Sequence, residues 1–440
     1  ERVSYARLAQ GSEARAVAYA AFGVRAGDVV LVAEGVSPAL YETLIALFRL
    51  GAVAMFPEPA AGLAGVRSAI HAARPTALAG GALAHLLRLM SPSVAALPLL
   101  PGPKAEYARA ASSWPSISLD APALITFTSG STGAPKGIVR SGAFLLLQHR
   151  LLERVRVTTP DDIDLISLPV FILSNLAAGA TSVLPAGRLV RPAQLKGAAL
   201  RRQIVQHRVS RVVAPPAVVR RLAEGGQPMP QLRAMFTGGG PVFPNLLRAM
   251  QRIAPAAAIH TVYGSTEAEP ISHLEVGEVA EGDWRAMETG AGLLAGRPIE
   301  EARICLRDDE ICVSGPHVNR GYLDPSRNAS TKFEEGGALW HRTGDAGRLD
   351  EQGRLWLLGR REAAAEGLFP FAIETAAMSW PGVAGAAFLA TGGQAQLAVA
   401  GAQLDMTDLQ RRARALGDIR LHAVRRIPTD ARHNSKVDYA

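Results

Sequence analysis

Lysine is almost missing from this chain. Of 47 basic side chains in 440 residues, lysine occurs only at positions 104, 136, 196, 332 and 436, which leaves 42 arginines. Arginine binds oxyanions through a planar fork and keeps its proton, whereas lysine is a compact point charge, so a lysine retained against this bias marks a place that wants one. Cysteine is rarer still. Cys305 and Cys312 flank Asp308-Asp309 with six residues between them, which is too few thiols for a disulfide framework and lacks the histidine partners of a zinc site. A reducing cytoplasm suits them. Aromatic residues make up 5% and the arginines are scattered, which excludes the basic, aromatic-interleaved face of a nucleic-acid binder. The net charge of +8 reads as solvated surface with a general pull on anionic substrates. No apolar run approaches the eighteen residues of a membrane span. Glu1-Arg2-Val3-Ser4 opens no signal-peptide core, and the missing initiator methionine suggests a trimmed start.

What is present is a folded composition, 48% hydrophobic and 20% charged, on a chain too long for one core, so two or three structural units are expected. The apolar pattern predicts a buried strand at 29–32, a helix through Leu40, Tyr41, Leu44, Ile45, Leu47 and Phe48 that stops at Gly51, and a strand at 52–56. Strand, helix, strand is the unit of a parallel sheet. The alternation continues with a helix over 141–155, strands at 165–168 and 181–184, a helix over 196–207, and strands at 212–213, 233–236 and 258–262. From about residue 292 the pattern changes to short strands with hairpin turns, at 303–306, 310–313 and 354–358. The last eighty residues predict a compact α+β unit, with helices at 373–379 and 406–416 and strands at 383–389 and 397–400.

Chemistry enters at Thr126-Phe127-Thr128-Ser129-Gly130-Ser131-Thr132-Gly133-Ala134-Pro135-Lys136-Gly137, which holds three glycines, five hydroxyls and one of the five lysines. Glycine lets backbone N–H groups turn around an oxyanion, hydroxyls add donors and lysine adds charge, so this is the composition of a phosphate cradle. The P-loop of nucleoside triphosphatases requires Gly-Lys-Ser/Thr. Pro135 before Lys136 and Gly137 after it rule that out. The stretch resembles instead the phosphate loop of the adenylate-forming superfamily (acyl-CoA synthetases, peptide-synthetase adenylation domains and luciferases), Ser/Thr-Ser-Gly-Ser/Thr-Thr-Gly-x-Pro-Lys-Gly, with every fixed position met.

Further motifs follow in that family's order. Gly238-Gly239-Gly240-Pro241 after an apolar strand would let a flat ring lie on the backbone. Tyr263-Gly264-Ser265-Thr266-Glu267 resembles Tyr-Gly-x-Thr-Glu, in which the tyrosine packs on adenine, the threonine contacts phosphate and the glutamate binds magnesium; a hard cation wants carboxylate oxygen. Glu310 to Tyr322, with Gly315 and Val318-Asn319-Arg320-Gly321-Tyr322, is similar to a structural motif of the family. Arg342-Thr343-Gly344-Asp345 matches the motif whose aspartate takes both ribose hydroxyls, Gly359-Arg360 the one whose arginine reaches ribose and phosphate. Asn434-Ser435-Lys436-Val437-Asp438 resembles Asn-Gly-Lys-Val/Ile-Asp, which carries the catalytic lysine. The resemblance implies an α/β protein: a large N-terminal domain of layered α/β subdomains with a small β-barrel, residues 1–359, and a small mobile α+β lid, residues 360–440. It implies ATP and Mg2+ as cofactors and a small carboxylic acid as partner, activated to acyl-AMP with release of pyrophosphate. Lys436, Thr266 and Glu267 are the implied catalytic residues, Glu267 is the metal ligand, and Thr128, Ser129, Gly130, Ser131, Thr132, Gly133 and Lys136 join Gly239, Gly240, Pro241, Tyr263, Asp345 and Arg360 around the nucleotide.

The acid pocket is assigned to Phe171, Ile172, Asn175 and Gly264. Amino-acid-activating relatives place an aspartate after the phenylalanine; Ile172 stands there, so a free ammonium would lose its ion pair, and an acyl or aryl acid is expected. The expected acceptor is a thiol, CoA or the phosphopantetheine of an acyl carrier protein, with the lid turning about Glu362. The loop from Ala363 to Pro370 is shorter than that of thioester-forming relatives. Phe171 to Pro185, Tyr263 to Ser272, Gly290 to Pro298 and Trp340 to Gly359 resemble the olefin-pathway β-lactone synthetases, which close a 3-hydroxy acid on its own hydroxyl, and this is the alternative. A third reading, an adenylate-binding homologue without catalysis, runs against the intact Thr266, Glu267, Asp345 and Lys436.

Overall fold

The computed structural model describes residues 2–58, 61–103, 114–128, 136–187, 194–365, 367–391, 394–429 and 437. They form two compact units, Glu1–Arg150 with Asn319–Ser330, and Leu151–Val318 with Thr331–Ala440.

In the first unit, Ala77–Ala79, Val29–Val32, Val53–Phe56 and Pro122–Thr128 lie side by side as parallel strands, and Lys136–Ser141 adds an antiparallel edge. Strands of this kind read as continuous apolar runs because both faces are covered. Leu31, Met55, Leu78, Ile125 and Phe127 are buried in one core. The helix Pro38–Leu50 begins where Ser37 accepts the Leu40 N–H and ends at Gly51, whose φ of 70° is the left-handed cap expected there. The edge strand Lys136–Ser141 was not foreseen. Its register sets Thr128 opposite Lys136, which brings the two ends of the glycine-rich stretch together.

The second unit is built on a twelve-stranded sheet. Thr181–Val183, Ile163–Ile166, Arg211–Val213, Ala234–Gly238 and Ala258–Ser265 run parallel. From Ala258–Ser265 onward the pairing is antiparallel, through Ala268–Glu275, Leu293–Pro298, Leu355–Arg360, Ala338–Leu349, Glu310–Ser314 and Arg303–Arg307. Lys332–Glu335 pairs with Ala338–Leu349. The hairpin at Asp308-Asp309 has φ of 48° and 63°, positive at both central residues, as a two-residue turn matched to strand twist requires. Cys305 and Cys312 stand opposite each other across it, both free.

After Arg360 come the helix Pro370–Ala377, the strands Val383–Thr391 and Gln394–Gly401, the helix Met406–Leu416, and a third strand, Ile419–Ala423. Phe388, Leu397, Val399, Ile373 and Leu409 form their core, which Phe243 and Leu293 also enter. The third strand escaped the sequence reading: Ile-Arg-Leu-His-Ala offers only two inward apolar residues, and parallel pairing with Gln394–Gly401 makes it a strand.

One face of the large sheet buries charge. Asp164, with no exposed surface, accepts from Arg211 Nε and Nη2 at 2.7 and 2.9 Å and from Arg156 Nη2 at 2.8 Å. Arg211 Nη1 donates to the Arg156 carbonyl at 2.9 Å. The Asn175 amide donates to Asp164 and Ser182 and accepts from Arg156. Burial pulls the Arg156 guanidinium below its ordinary pKa even with Asp164 beside it. Such a cluster is tolerable only while each charge keeps its partner. Asp164→Leu removes the carboxylate that two buried guanidiniums share, leaving Arg211 only Asp162 and Arg156 only Glu153, and is expected to lower unfolding stability by about 3–5 kcal/mol, read as a shifted urea midpoint.

Candidate active site

The carboxyl ends of parallel strands are where α/β sheets place ligands, and in the second unit the predicted nucleotide residues gather there. Ala234–Gly238 leads directly into Gly239, Gly240 and Pro241. A Cβ on Gly238 would lie 2.5 Å from the Val262 carbonyl, so only glycine allows the strands to close here; Gly239 has φ of 78° and open space above it. The next strand, Ala258–Ser265, carries Tyr263 and Gly264 near its end. Ser265 pairs with Ala268, so Thr266 and Glu267 form the two-residue tip of the hairpin.

Tyr263 O–H donates to Asp345 Oδ2 at 2.8 Å, and Arg360 Nη1 donates to Asp345 Oδ1 at 3.1 Å. Burial first, then the Asp345 charge, hold the Tyr263 phenol well above its ordinary pKa, so it remains a donor. Asp345 is itself positioned from behind. Its N–H donates to Thr343 Oγ1 at 3.1 Å, and that hydroxyl donates to the Ile311 carbonyl at 2.8 Å. Glu310, from the neighbouring strand, accepts the Gly344 N–H at 3.0 Å and Arg342 Nη1 at 2.8 Å. Gly344 has φ of 74°, and a Cβ there would meet Arg360 Nη2 at 2.7 Å. The result is a carboxylate fixed in direction, with lone pairs left on both oxygens for a ribose diol.

Glu310 and His341 stand within motif stretches but had no role of their own in them, and Lys332 stands outside the motifs. Lys332 and His341 face each other across two strands and are 8% and 3% exposed. Burial lowers the Lys332 ammonium to about 8 and the His341 imidazole to about 4, with the Glu267 charge opposing both shifts. His341 Nδ1 lies 3.1 Å from the Thr331 carbonyl, an acceptor that assigns the proton to Nδ1. The scarcity of lysine was the one signal that could have singled out Lys332.

The buried hydroxyls Thr237 Oγ1 and Ser265 Oγ, at the ends of adjacent strands, have no partner among the described residues, and the space above Gly239 would take a ring. The Glu267 carboxylate, at the hairpin tip, is hard oxygen of the kind a divalent cation takes. No group of three or more His, Cys, Asp or Glu that could hold a metal ion occurs among the described residues.

Phe171, Ile172 and Asn175 are on the helix Pro169–Ala178, all buried; the Arg156 guanidinium sits 5.6 Å from the Phe171 ring centroid. Asn175 is engaged in the Asp164 cluster rather than turned to open space. Glu362 is exposed in the short turn Arg361–Ala363. In the first unit, Lys136 Nζ is 5.7 Å from the Tyr322 ring centroid, and the backbone of Thr128 pairs with Lys136. Ser129, Gly130, Ser131, Thr132, Gly133 and Lys436 lie outside the described residues.

Residues 1–323 match the model of a family described as AMP-binding enzyme. The chain belongs to that family. It is 31% identical to an olefin beta-lactone synthetase of Stenotrophomonas maltophilia, over 99% of this chain and 89% of that protein. Two solved structures share the fold. The O-succinylbenzoate coenzyme A synthetase of Bacillus subtilis in complex with ATP and magnesium ion aligns at TM-score 0.79 and 23% identity, covering 98% of this chain and 93% of that one. The amide bond synthetase McbA of Marinactinospora thermotolerans aligns at TM-score 0.81 and 24% identity, covering 99% and 93%. The α/β architecture expected from the motifs is thereby established, and this AMP-binding enzyme is an AMP-forming ligase. No helix among its described residues is long and apolar enough to cross a membrane.

Two measurements probe the site. Glu310→Gln removes charge from the clamp on Gly344 and Arg342; at about 1.5–3 kcal/mol per charged hydrogen bond, AMP affinity is expected to fall at least about tenfold by calorimetry, with the fold retained. His341, His317 and His273 are each lowered to about 4 by burial. Unfolded histidine takes its proton near 6.5, so unfolding stability is expected to be full above that pH and to fall as pH drops from 6.5 towards 4. Urea midpoints at pH 7, 5.5 and 4 read this, and His317→Leu, whose parent ring has no hydrogen-bond partner for either nitrogen among the described residues, should flatten the slope.

Proposed function

We propose that the protein converts a carboxylic acid with an uncharged acyl or aryl chain and ATP to acyl-AMP and pyrophosphate, then passes the acyl group to a nucleophile with release of AMP. The observation that carries this is the Tyr263–Asp345–Arg360 cluster beside the Gly239-Gly240 turn and the Thr266-Glu267 hairpin tip. In this reading Gly239, Gly240, Pro241 and Tyr263 receive adenine, Asp345 the ribose hydroxyls, and Arg360 ribose and phosphate. Thr266 contacts the α-phosphate, and Ser129 to Gly133 with Lys136 hold the departing pyrophosphate. Glu267 would hold magnesium, which would supply charge neutralisation. The acid's carboxylate attacks the α-phosphorus in line, and Lys436 stabilises the charge that builds on the phosphate and carboxylate oxygens. The buried, uncharged Phe171 and Ile172 support an acyl or aryl acid. Residues 360–440 act as a lid turning about the exposed Glu362.

For the nucleophile, similarity over nearly the full chain to a β-lactone synthetase favours the acid's own 3-hydroxyl. Thiol transfer to CoA or a carrier protein is the second reading, supported by the structural likeness to a CoA synthetase. The loop after Arg360 is tight: Ala365 and Leu368 pair at a bridge immediately before the helix at Pro370, which leaves little chain for a pantetheine wall. The free Cys305–Cys312 pair suits a cytoplasmic setting.

Acid-dependent ATP–pyrophosphate exchange tests the reading. With a panel of short, long, aromatic and 3-hydroxy acids, one class should support exchange. Lys436→Ala should lower it by about 10²-fold or more, and Asp345→Ala should raise the KM for ATP. Product mass with and without CoA then separates lactone from thioester. No exchange with any acid, despite ATP binding, would sink the proposal.

A further inference from the structure

The strand Ala258–Ser265, which carries Tyr263 near its end, begins beside a cavity. Its volume is about 530 Å³, and its walls include Arg154, Arg156, Arg211, Arg233, Phe236, His260, His273 and Glu275, all in the second unit. The registers His260↔Phe236, His260↔Glu275 and Val262↔His273 put Phe236, His260, Val262, His273 and Glu275 on one face of the sheet, since residues directly opposite share a face. The same face carries the Asp164–Arg211–Arg156 cluster and, through Arg156, meets Phe171 of the proposed acid pocket. Three rings step along it: Phe236 stacks on His260 with centroids 4.8 Å apart, and His260 stacks on His273 at 5.1 Å.

The arginines give a misleading impression of charge. Arg154 pairs with Glu301, Arg156 with Asp164, Arg211 with Asp162 and Asp164, and Arg233 with Asp162. Each is already answered by a carboxylate, and Glu275 adds a negative wall, so the cavity offers no spare positive charge to an anion. Its distinctive polar group is the histidine pair, with His260 Nδ1 2.9 Å from His273 Nε2. Burial lowers both pKa values, His273 to about 4, so the pair is neutral near pH 7. A neutral pair joined by one hydrogen bond has a fixed consequence. One outer nitrogen is a donor and the other an acceptor, whichever tautomer is present. Such a group matches a hydroxyl or carbonyl and gives a carboxylate no counter-ion.

Resting on the adenylation reading, the geometry points to a specificity site: the cavity receives the far end of the acid, and His260 with His273 binds an uncharged hydroxyl or carbonyl there. His260 lies four residues before Gly264, an even offset that keeps both on one face, and about 13 Å along the strand, so an acid with its carboxyl at the nucleotide motifs reaches the pair with a chain of about ten carbons.

The test compares straight-chain acids of about six to twelve carbons in three forms: unsubstituted, terminally hydroxylated and terminally carboxylated. Each is measured by ATP–pyrophosphate exchange and, without ATP, by calorimetric binding. At the right length the hydroxy acid should exceed the unsubstituted acid by about tenfold in kcat/KM, with the diacid weakest. His260→Leu and His273→Leu should erase that preference without changing the KM for ATP. His273→Gln, which keeps a donor and an acceptor, should retain most of it. Equal kcat/KM for all three forms in the wild type, a preference for the diacid, or a hydroxyl preference that survives both leucine variants overturns the site and leaves adenylation standing. Binding of the hydroxy acid that is lost in His260→Leu, without exchange by any acid, upholds the site and removes the adenylation reading. Neither exchange nor binding at any length removes both.

Discussion

The Asp164 carboxylate holds the large unit together at the point where its face would otherwise be hardest to close. It is fully buried, accepts from two guanidiniums and one amide, and so links the end of the helix Gly142–Arg156, two parallel strands and the helix Pro169–Ala178. Two arginines inside a protein are costly unless a carboxylate lies between them. With it there, Arg156 can sit against Phe171 and Arg211 against Phe236, and the sheet face is lined by polar groups whose charges are already balanced. That balance is what makes the adjoining cavity suited to an uncharged ligand despite four arginines in its walls.

The nucleotide end depends on the reversal of strand direction. Parallel strands bring Gly239 and Tyr263 to the carboxyl edge. The antiparallel half that follows folds Asp345 and Arg360, which are 82 and 97 positions later than Tyr263, onto the same phenol. Glu310 fixes the turn that carries Asp345, and its strand pairs directly with it. Preorganisation here is a matter of backbone N–H groups and strand register more than of long side chains, which keeps the carboxylate's direction independent of ligand.

Much of this was legible in residue order. The helix over Pro38–Leu50 stopped at the glycine that the pattern named, the hairpin around Asp308-Asp309 formed as read, and the nucleotide motifs identified the family without any coordinates. Strands with weak apolar alternation were not legible: Ile419–Ala423 has two inward apolar residues, and Lys136–Ser141 follows a glycine-rich stretch that masks its start. Their pairing partners, rather than their own side chains, make them strands. Asn175, read as a pocket residue, is engaged in a buried cluster because the strand carrying Asp164 passes beneath its helix, which spacing along the chain could not reveal.

The sequence by itself determined the chemistry class, because phosphate, ribose and metal contacts need particular residue types at short fixed spacings, and those spacings survive in linear order. The tertiary structure alone decided which groups meet across strands: Glu310 with Gly344, Lys332 with His341, His260 with His273. Cross-strand neighbours are set by register over tens of residues, and a single-residue slip would turn each of these side chains to the opposite face. Local motifs can therefore announce a nucleotide, while the shape and polarity of the space for its acid emerge only once the sheet is assembled.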